Sequence, residues 1–306
     1  MFSREELLRR IRRIEIKASR AVSEAMGGSY RSAFRGRGLE FDSVRKYVDG
    51  DDIRSIDWNV TARTGDLHVK EYLEERELNA ILLLDYSMSL AFSSRHPTRL
   101  ETVVQAASVI AFSAVFNSDK VSMLAQAPFQ RHYLPPKKGR LHALRLSAKA
   151  LETASAVEDM LSFPETGVTR KQEYDTKDGL NFLDRTTHRR SMIFVFSDFS
   201  KPGFEPVMKR MSMRHEIIPI LVLDPWEREL PDLGLVRFGA PGFKAGALID
   251  TSDKTTRQEY SEKSLARIEG LCDFFTSLGL RHAVLWTDSD YISTLAGVIG
   301  KRQWAA

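Results

Sequence analysis

The chain is almost without cysteine, since Cys272 is the only one in 306 residues. A single cysteine excludes an intrachain disulfide and any metal site built from cysteine pairs. The seven histidines show no spacing typical of metal ligands. No nucleophile stands beside a base near the ends of the predicted strands, so we expect a protein that is not an enzyme.

Long hydrophobic segments are also missing. The N-terminus is charged and lacks the apolar core of a signal peptide. No window approaches the roughly 18–20 apolar residues of a membrane span. We therefore expect a cytoplasmic protein without a membrane span. The composition, 42% hydrophobic and 28% charged, is that of a globular protein, and the formal net charge of +4 suits an acidic partner without implying nucleic acid.

The segment that organises the sequence begins with an unbroken apolar run, Ala80–Leu84, which precedes Asp85, Ser87 and Ser89. Such a run predicts a strand covered on both faces, as in the middle of a parallel sheet. Ligand sites of these sheets lie just beyond the carboxyl ends of the strands. A carboxylate and two hydroxyls are hard oxygen ligands, which suit Mg²⁺, Mn²⁺ or Ca²⁺ better than zinc.

A second apolar run, Met192–Phe196, leads in the same way to Asp198. Both aspartates have a simpler interpretation. Asp and Ser favour turns and helix N-caps, so Asp85 with its serines could be turn chemistry, and Asp198 could cap the helix predicted from Glu205.

Strands alternate with helices along most of the chain, which predicts a doubly wound, mostly parallel α/β sheet with helices on both faces. We expect an N-terminal helix over residues 3–26, an edge hairpin whose second strand ends at Pro135-Pro136, and a loop over residues 154–175. Residues 226–251 predict a β-hairpin arm. A helix follows over residues 254–279, with Leu265 among its buried positions.

Residues 29–77 carry no helical stripe and predict irregular segments and short strands, held by ion pairs and buried aromatics. Their motifs are G-x-G-L-E-F (36–41), R-x-Y (45–47), G-D-D-x-R-x-I-D-W (50–58), T-A-R (61–63) and E-E-R-E (74–77). In this order, followed by the Asp85 segment, they resemble the bacterial "domain of unknown function 58" family. The resemblance is dense from about Gly36 to Ser89 and traceable beyond.

Members of that family resemble von Willebrand factor type A domains with an extra N-terminal segment. The resemblance implies two parts, residues 1–77 and a type A-like domain over residues 78–302 that includes the arm. It also implies a metal-ion-dependent adhesion site with Asp85, Ser87, Ser89 and Asp198 as ligands.

A threonine from a separate loop completes such sites in type A domains, where it follows two glycines. This sequence lacks the two glycines, and Thr176 is our candidate, with Thr166 and Asp178 as competitors. Without that ligand the site would bind metal weakly or not at all.

Because the family is often encoded beside MoxR-type AAA ATPases, the resemblance implies a non-enzymatic, metal-dependent protein-binding module. It would act with such an ATPase in protein assembly or remodelling, on a client that supplies a carboxylate. One alternative is a metal-dependent phosphohydrolase with Asp85 as nucleophile, although Ser87 stands where that pattern places a second acid. Another is nucleic-acid binding through the basic N-terminal helix and Arg31, Arg35 and Arg37.

Overall fold

The computed structural model describes residues 4–22, 40–73, 78–128, 130–162, 174–239 and 247–300. The helices in these ranges are α1 (Arg4–Ala21), α2 (Trp58–Thr64), α3 (Arg99–Phe116), α4 (Arg140–Ser162), α5 (Thr176–Thr186), α6 (Glu205–Ser212), α7 (Lys254–Ser277) and α8 (Tyr291–Gly300). The strands are β1 (Glu40–Lys46), β2 (His68–Leu73), β3 (Asn79–Asp85), β4 (Lys120–Ala127), β5 (Gln130–Lys137), β6 (Met192–Ser197), β7 (Glu216–Leu223), β8 (Leu235–Phe238), β9 (Ala247–Asp250) and β10 (Ala283–Trp286).

Six strands form one central sheet in the order β10-β7-β6-β3-β4-β5. Every neighbouring pair is parallel except β4 and β5, which form the antiparallel hairpin at one edge. β3 and β6 are adjacent, so the segments that leave their carboxyl ends emerge side by side. The predicted doubly wound α/β fold is confirmed, and the arm contains the antiparallel pair β8 and β9.

The apolar runs of the inner strands are buried on both faces because helices cover both. In β3, Leu82 and Leu84 point into a core cluster with α3, α4 and α8. Ile81 and Leu83 point to the other side, into a cluster with α5, α6 and α7. This two-sided burial is why β3 and β6 show no polar alternation in the sequence.

The N-terminal helix α1 belongs to the first of these clusters. Ala18 and Ala21 of this helix, and Val22 directly after it, are buried in the cluster, and Arg10 forms an ion pair with Glu101 on α3 at 3.4 Å. β1 and β2 pair in a small separate sheet. Residues 74–77, which precede the predicted division between the two parts, lie outside the described residues, and the division stays a prediction.

The expectation for residues 29–77 is partly wrong, because a short helix, α2, forms there. Asp57 caps it by accepting hydrogen bonds from the amides of Asn59 and Val60, and Gly65 ends it in a left-handed conformation. The aromatic side chain of Trp58 is not buried but 64% exposed. The predicted ion pairs are present, as between Arg45 and Asp51 at 2.6 Å. The glycines of the first motif and the E-E-R-E motif lie outside the described ranges.

The ends of two elements and the burial of one side chain differ from those predicted from the sequence. Strand β5 continues through Pro135 and Pro136, because an edge strand tolerates residues that lack an amide donor. Helix α4 continues to Ser162, well into the predicted loop, because its apolar face, including Val157, still packs on the core. Leu265 is 40% exposed, whereas Ile268 and Phe275 carry the buried side of α7.

Helix α3 comes closer to a membrane span than the sequence analysis expects. Its 18 residues are long and apolar enough by length and composition, although 78% of that window is buried inside the fold. The core position explains the apolar sequence equally well.

A buried histidine gives the fold a predicted dependence on pH. His215, just before β7, is 4% exposed, and neither ring nitrogen has a hydrogen-bond partner in the described residues. Burial lowers its pKa, the charges of Arg214 and Arg190 lower it further, and Asp184 opposes them. Because the unfolded chain then binds the proton more tightly, the histidine's contribution to stability is complete above about pH 6.5 and is lost as the pH falls.

We therefore expect the wild type to lose stability relative to His215→Leu between pH 7.5 and pH 5. The loss is at most about 1.4 kcal/mol per pH unit, measured as the difference in unfolding free energy by denaturant titration. Parallel pH profiles for the two proteins would rule this out.

Candidate metal centre

Asp85 ends β3 at the carboxyl edge of the sheet and is only 2% exposed. Its Oδ2 atom accepts hydrogen bonds from the hydroxyls of Thr176, at 2.5 Å, and Ser197, at 2.8 Å. Its Oδ1 atom is buried and has no hydrogen-bond partner among the described residues. One carboxylate oxygen is thus fixed by the fold while the other remains available to a ligand.

Burial and a nearby negative charge make ionisation of the Asp85 carboxyl unfavourable. Burial raises the pKa of this carboxyl to about 7; the hydrogen bonds from Thr176 and Ser197 work against the increase, and the negative charge of Asp198 adds to it. A buried carboxylate of this kind is stabilised by a nearby cation.

Thr176 reaches Asp85 because α5 begins close to the sheet. Asp175 and Asp178 form a capping box at its start, and the side-chain amide of Gln126 donates to the carbonyl of Asp175. Gly179 permits the approach, since a Cβ there would lie 2.6 Å from Cδ1 of Leu83. Of the competitors to Thr176, Asp178 is engaged in the capping box and Thr166 lies outside the described residues.

The serines after β3 form a chain of hydroxyls. The hydroxyls of Ser87 and Ser89 are 2.9 Å apart, and that of Ser89 is 3.0 Å from the hydroxyl of Ser200 in the loop after β6. Each hydroxyl has one proton to donate and lone pairs that can face a cation. The two loops that leave β3 and β6 therefore meet at Ser89 and Ser200.

Asp198 lies in a tight turn directly after β6. Its Oδ1 accepts a hydrogen bond from the amide of Ser200 at 3.1 Å, and Phe199 between them has a left-handed φ of 48°. The Phe199 ring packs on Phe204 and Phe275 with centroids 5.0 and 5.1 Å away, which holds this uncommon conformation in place. The interpretation of Asp198 as the N-cap of the helix from Glu205 is wrong, because α6 begins after Phe204 and its start has no side-chain cap.

The donor set fits a hard divalent cation. In the described ranges, no three His, Cys, Asp or Glu residues are grouped to hold a metal. A site here must therefore combine the two carboxylates with hydroxyls, which are ligands that Mg²⁺, Mn²⁺ and Ca²⁺ accept. The unpartnered Oδ1 of Asp85 is the observation that favours a cation over turn chemistry. That Asp85, Ser87, Ser89, Thr176 and Asp198 are its ligands stays a prediction.

Several residues around the site were missed by sequence reasoning. Ser197 and Ser200 could have been noticed, because they flank Asp198 in the motif S-D-F-S. Arg99, Glu227 and Arg267 could not, because their contacts join segments far apart in the chain. Arg99 and Glu227, for example, are 128 residues apart and form a 2.9 Å hydrogen bond.

Comparisons with known proteins place the chain among bacterial relatives. Uncharacterised proteins of Mycobacterium tuberculosis strain H37Rv and Mycobacterium bovis are each 27% identical to it over 301 residues, which is 97% of this chain and 90% of theirs. Among solved structures, the "SpRpn10 VWA domain" is similar with a TM-score of 0.40 and 15% identity, covering 75% of this chain and 100% of that domain.

The family model described as "Protein of unknown function DUF58" matches residues 43–269. The match spans most of the chain, from β1 to α7, and includes both candidate metal-site aspartates. The chain belongs to this family.

Proposed function

We propose that the protein is a non-enzymatic, metal-dependent protein-binding module. Asp85, Ser87, Ser89, Thr176 and Asp198 would hold Mg²⁺, or Mn²⁺ or Ca²⁺, at the carboxyl edge of the sheet. The partner would be a protein that supplies a carboxylate, with a MoxR-type AAA ATPase acting beside it in assembly or remodelling. The observation that carries the proposal is the buried, unpartnered Oδ1 of Asp85 beside a chain of hydroxyls.

The roles of the residues follow from their contacts. Thr176 and Ser197 orient Asp85 by donating to Oδ2, which leaves Oδ1 without a hydrogen-bond partner among the described residues. Ser89, half-buried, lies at the meeting point of the two loops, where a partner can reach the site. When bound, a hard cation with too few protein ligands offers an open coordination position to a carboxylate from another protein.

Charge supports a carboxylate as the recognised group. The proposed ligands are two carboxylates and neutral hydroxyls. A bound divalent cation balances the two negative charges, so the loaded site does not repel a further carboxylate strongly. Without the cation, a third carboxylate would meet repulsion from Asp85 and Asp198, and binding should depend steeply on the metal.

The test is binding of a purified MoxR-type AAA ATPase from the same organism, in Mg²⁺ and in chelator. We expect binding that the chelator abolishes, that added Mg²⁺ restores, and that the double variant Asp85→Ala with Asp198→Ala lacks. Asp66→Ala is the matched control, since it removes an exposed carboxylate paired with Lys46, away from the site. Binding that survives both the chelator and the double variant would remove metal from the mechanism.

A further inference from the structure

One carboxylate, with a side chain only 15% exposed, connects the two loops of the candidate metal centre. Glu227 ends a short 3-10 turn, Pro225–Glu227, directly after β7. Its Oε1 accepts a hydrogen bond from Nη1 of Arg99 at 2.9 Å, and its Oε2 accepts one from Nη2 of Arg267 at 2.8 Å. The amide of Asp224 also donates to Oε1, at 3.0 Å, which fixes the carboxylate on its own turn.

Arg99 holds the loop that carries the serines. Its side chain is 5% exposed, and it donates from Nη2 to the carbonyl of Ser89 at 2.5 Å and from Nε to the carbonyl of Phe92 at 2.7 Å. Arg99 thus fixes the backbone at Ser89 and again at Phe92, just after the turn that presents Ser89.

Arg267, on α7, holds the other loop. Its Nη1 donates to the carbonyl of Asp198 at 3.0 Å, while its Nη2 is bound to Glu227. The backbones of Ser89 and Asp198 are therefore each held by one arginine, and both arginines are held by the same carboxylate. Charge-assisted hydrogen bonds of this kind are short and directional. The bond to Arg99, which is buried, is costly to break, whereas the Arg267 side chain is 35% exposed and its bond costs less to break.

We propose that Glu227 is a positioning residue: through Arg99 and Arg267 it sets the separation of Ser89 and Asp198, and thereby the affinity of the site for a divalent cation. The proposal rests on the function proposed above. In the described residues, Glu227 accepts hydrogen bonds from Arg99, Arg267 and the amide of Asp224, and from none of the candidate ligands. Removing its charge should leave the ligands present but let the two loops move apart.

The probe is Mn²⁺ alone, with its dissociation constant measured by calorimetry on the full chain. We expect Glu227→Gln and Arg267→Gln each to weaken Mn²⁺ binding at least about tenfold, the range found when groups that orient metal ligands are lost. The double variant should be little weaker than either single variant, since both break the same connection. Arg228→Gln, which removes the neighbouring ion pair with Asp288, is the control and should bind like wild type.

Amide hydrogen exchange of the metal-free protein separates positioning from general stability. In Glu227→Gln, exchange should rise in residues 87–92 and 198–200 but stay unchanged in β3 and β6. Unchanged exchange in both loops, or an equal rise throughout the sheet, would overturn the proposal. So would wild-type affinity in Glu227→Gln. If wild type binds no Mn²⁺, the proposed function fails and the part of the proposal that concerns affinity falls with it, while the exchange experiment still decides whether Glu227 positions the loops.

Discussion

Asp85→Asn is expected to stabilise the metal-free protein and to abolish its response to divalent cations. The pKa of the wild-type Asp85 carboxyl is raised only to about 7, so the carboxyl is ionised at pH 8. That charge is buried and is repelled by the charge of Asp198. The asparagine removes that charge, and its carbonyl can still accept hydrogen bonds from Thr176 and Ser197. We expect an unfolding free energy higher by on the order of 1–3 kcal/mol in chelator at pH 8.

In Mg²⁺ the wild type should become more stable than Asp85→Asn. A ligand that binds only the folded state stabilises it by mass action, so wild type should gain stability with Mg²⁺ concentration while Asp85→Asn should not. Denaturant titrations of both proteins, with and without Mg²⁺, measure the two effects together. An Asp85→Asn variant that is destabilised in chelator, or that responds to Mg²⁺ like wild type, would contradict the assignment of Asp85.

An aspartate in the opposite environment is the control. Asp51 is half-buried at the surface, accepts two hydrogen bonds from Arg45 and one from the amide of Val48, and these contacts hold its pKa at about 2. Asp51→Asn should therefore not stabilise the protein, and it should leave the Mg²⁺ response intact. Comparing the two variants separates the general effect of removing a negative charge from the effect of removing a buried, repelled one.

Gly179→Ala is expected to weaken both the fold and the metal response. A glycine-to-alanine change inside a helix ordinarily stabilises by about 0.5–1 kcal/mol. Here the new Cβ would lie 2.6 Å from Cδ1 of Leu83, which is fully buried in the sheet, and 3.0 Å from Oε1 of Gln126. We expect a net loss on the order of 1–3 kcal/mol, typical of overpacking.

The same change should reach the site, because Thr176 lies three residues earlier on α5, on the same side of the helix as Gly179. Moving α5 away from β3 would lengthen the 2.5 Å hydrogen bond between Thr176 and Asp85. Mn²⁺ affinity, measured by calorimetry, should fall about tenfold or more.

Gly270→Ala is the matched control, since Gly270 is also inside a helix, α7, and a Cβ there meets nothing within 4 Å. That variant should be slightly more stable than wild type and bind Mn²⁺ unchanged. If Gly179→Ala behaves in the same way, the close approach of α5 does not position Thr176.

The sequence predicts the parts of this fold that local pattern determines. Unbroken apolar runs identify β3 and β6, and the residues that follow them, Asp85 and Asp198, are found at the edge of the sheet because parallel strands end together. The family resemblance points to Thr176, and in the structure its hydroxyl donates a hydrogen bond to Asp85. Its contact distance could not be derived from its position in the chain.

The remaining differences have physical causes that a sequence window does not contain. Pro135 and Pro136 stay in a strand because β5 is at the edge, and edge position is a property of the whole sheet. The connection through Glu227 depends on Arg99 and Arg267, which lie 128 and 40 residues from it. A charged residue in a short turn gives no local sign that two distant arginines will meet it.

The most direct test is a crystal structure of the full chain grown with Mn²⁺, with the ion located by its anomalous scattering. The predicted result is a single strong peak within about 2.0–2.3 Å of Oδ1 of Asp85 and of the hydroxyls of Ser87 and Ser89, with Asp198 bound directly or through water. A map with no peak at this edge of the sheet, or with Mn²⁺ bound only elsewhere, would contradict a metal centre at Asp85.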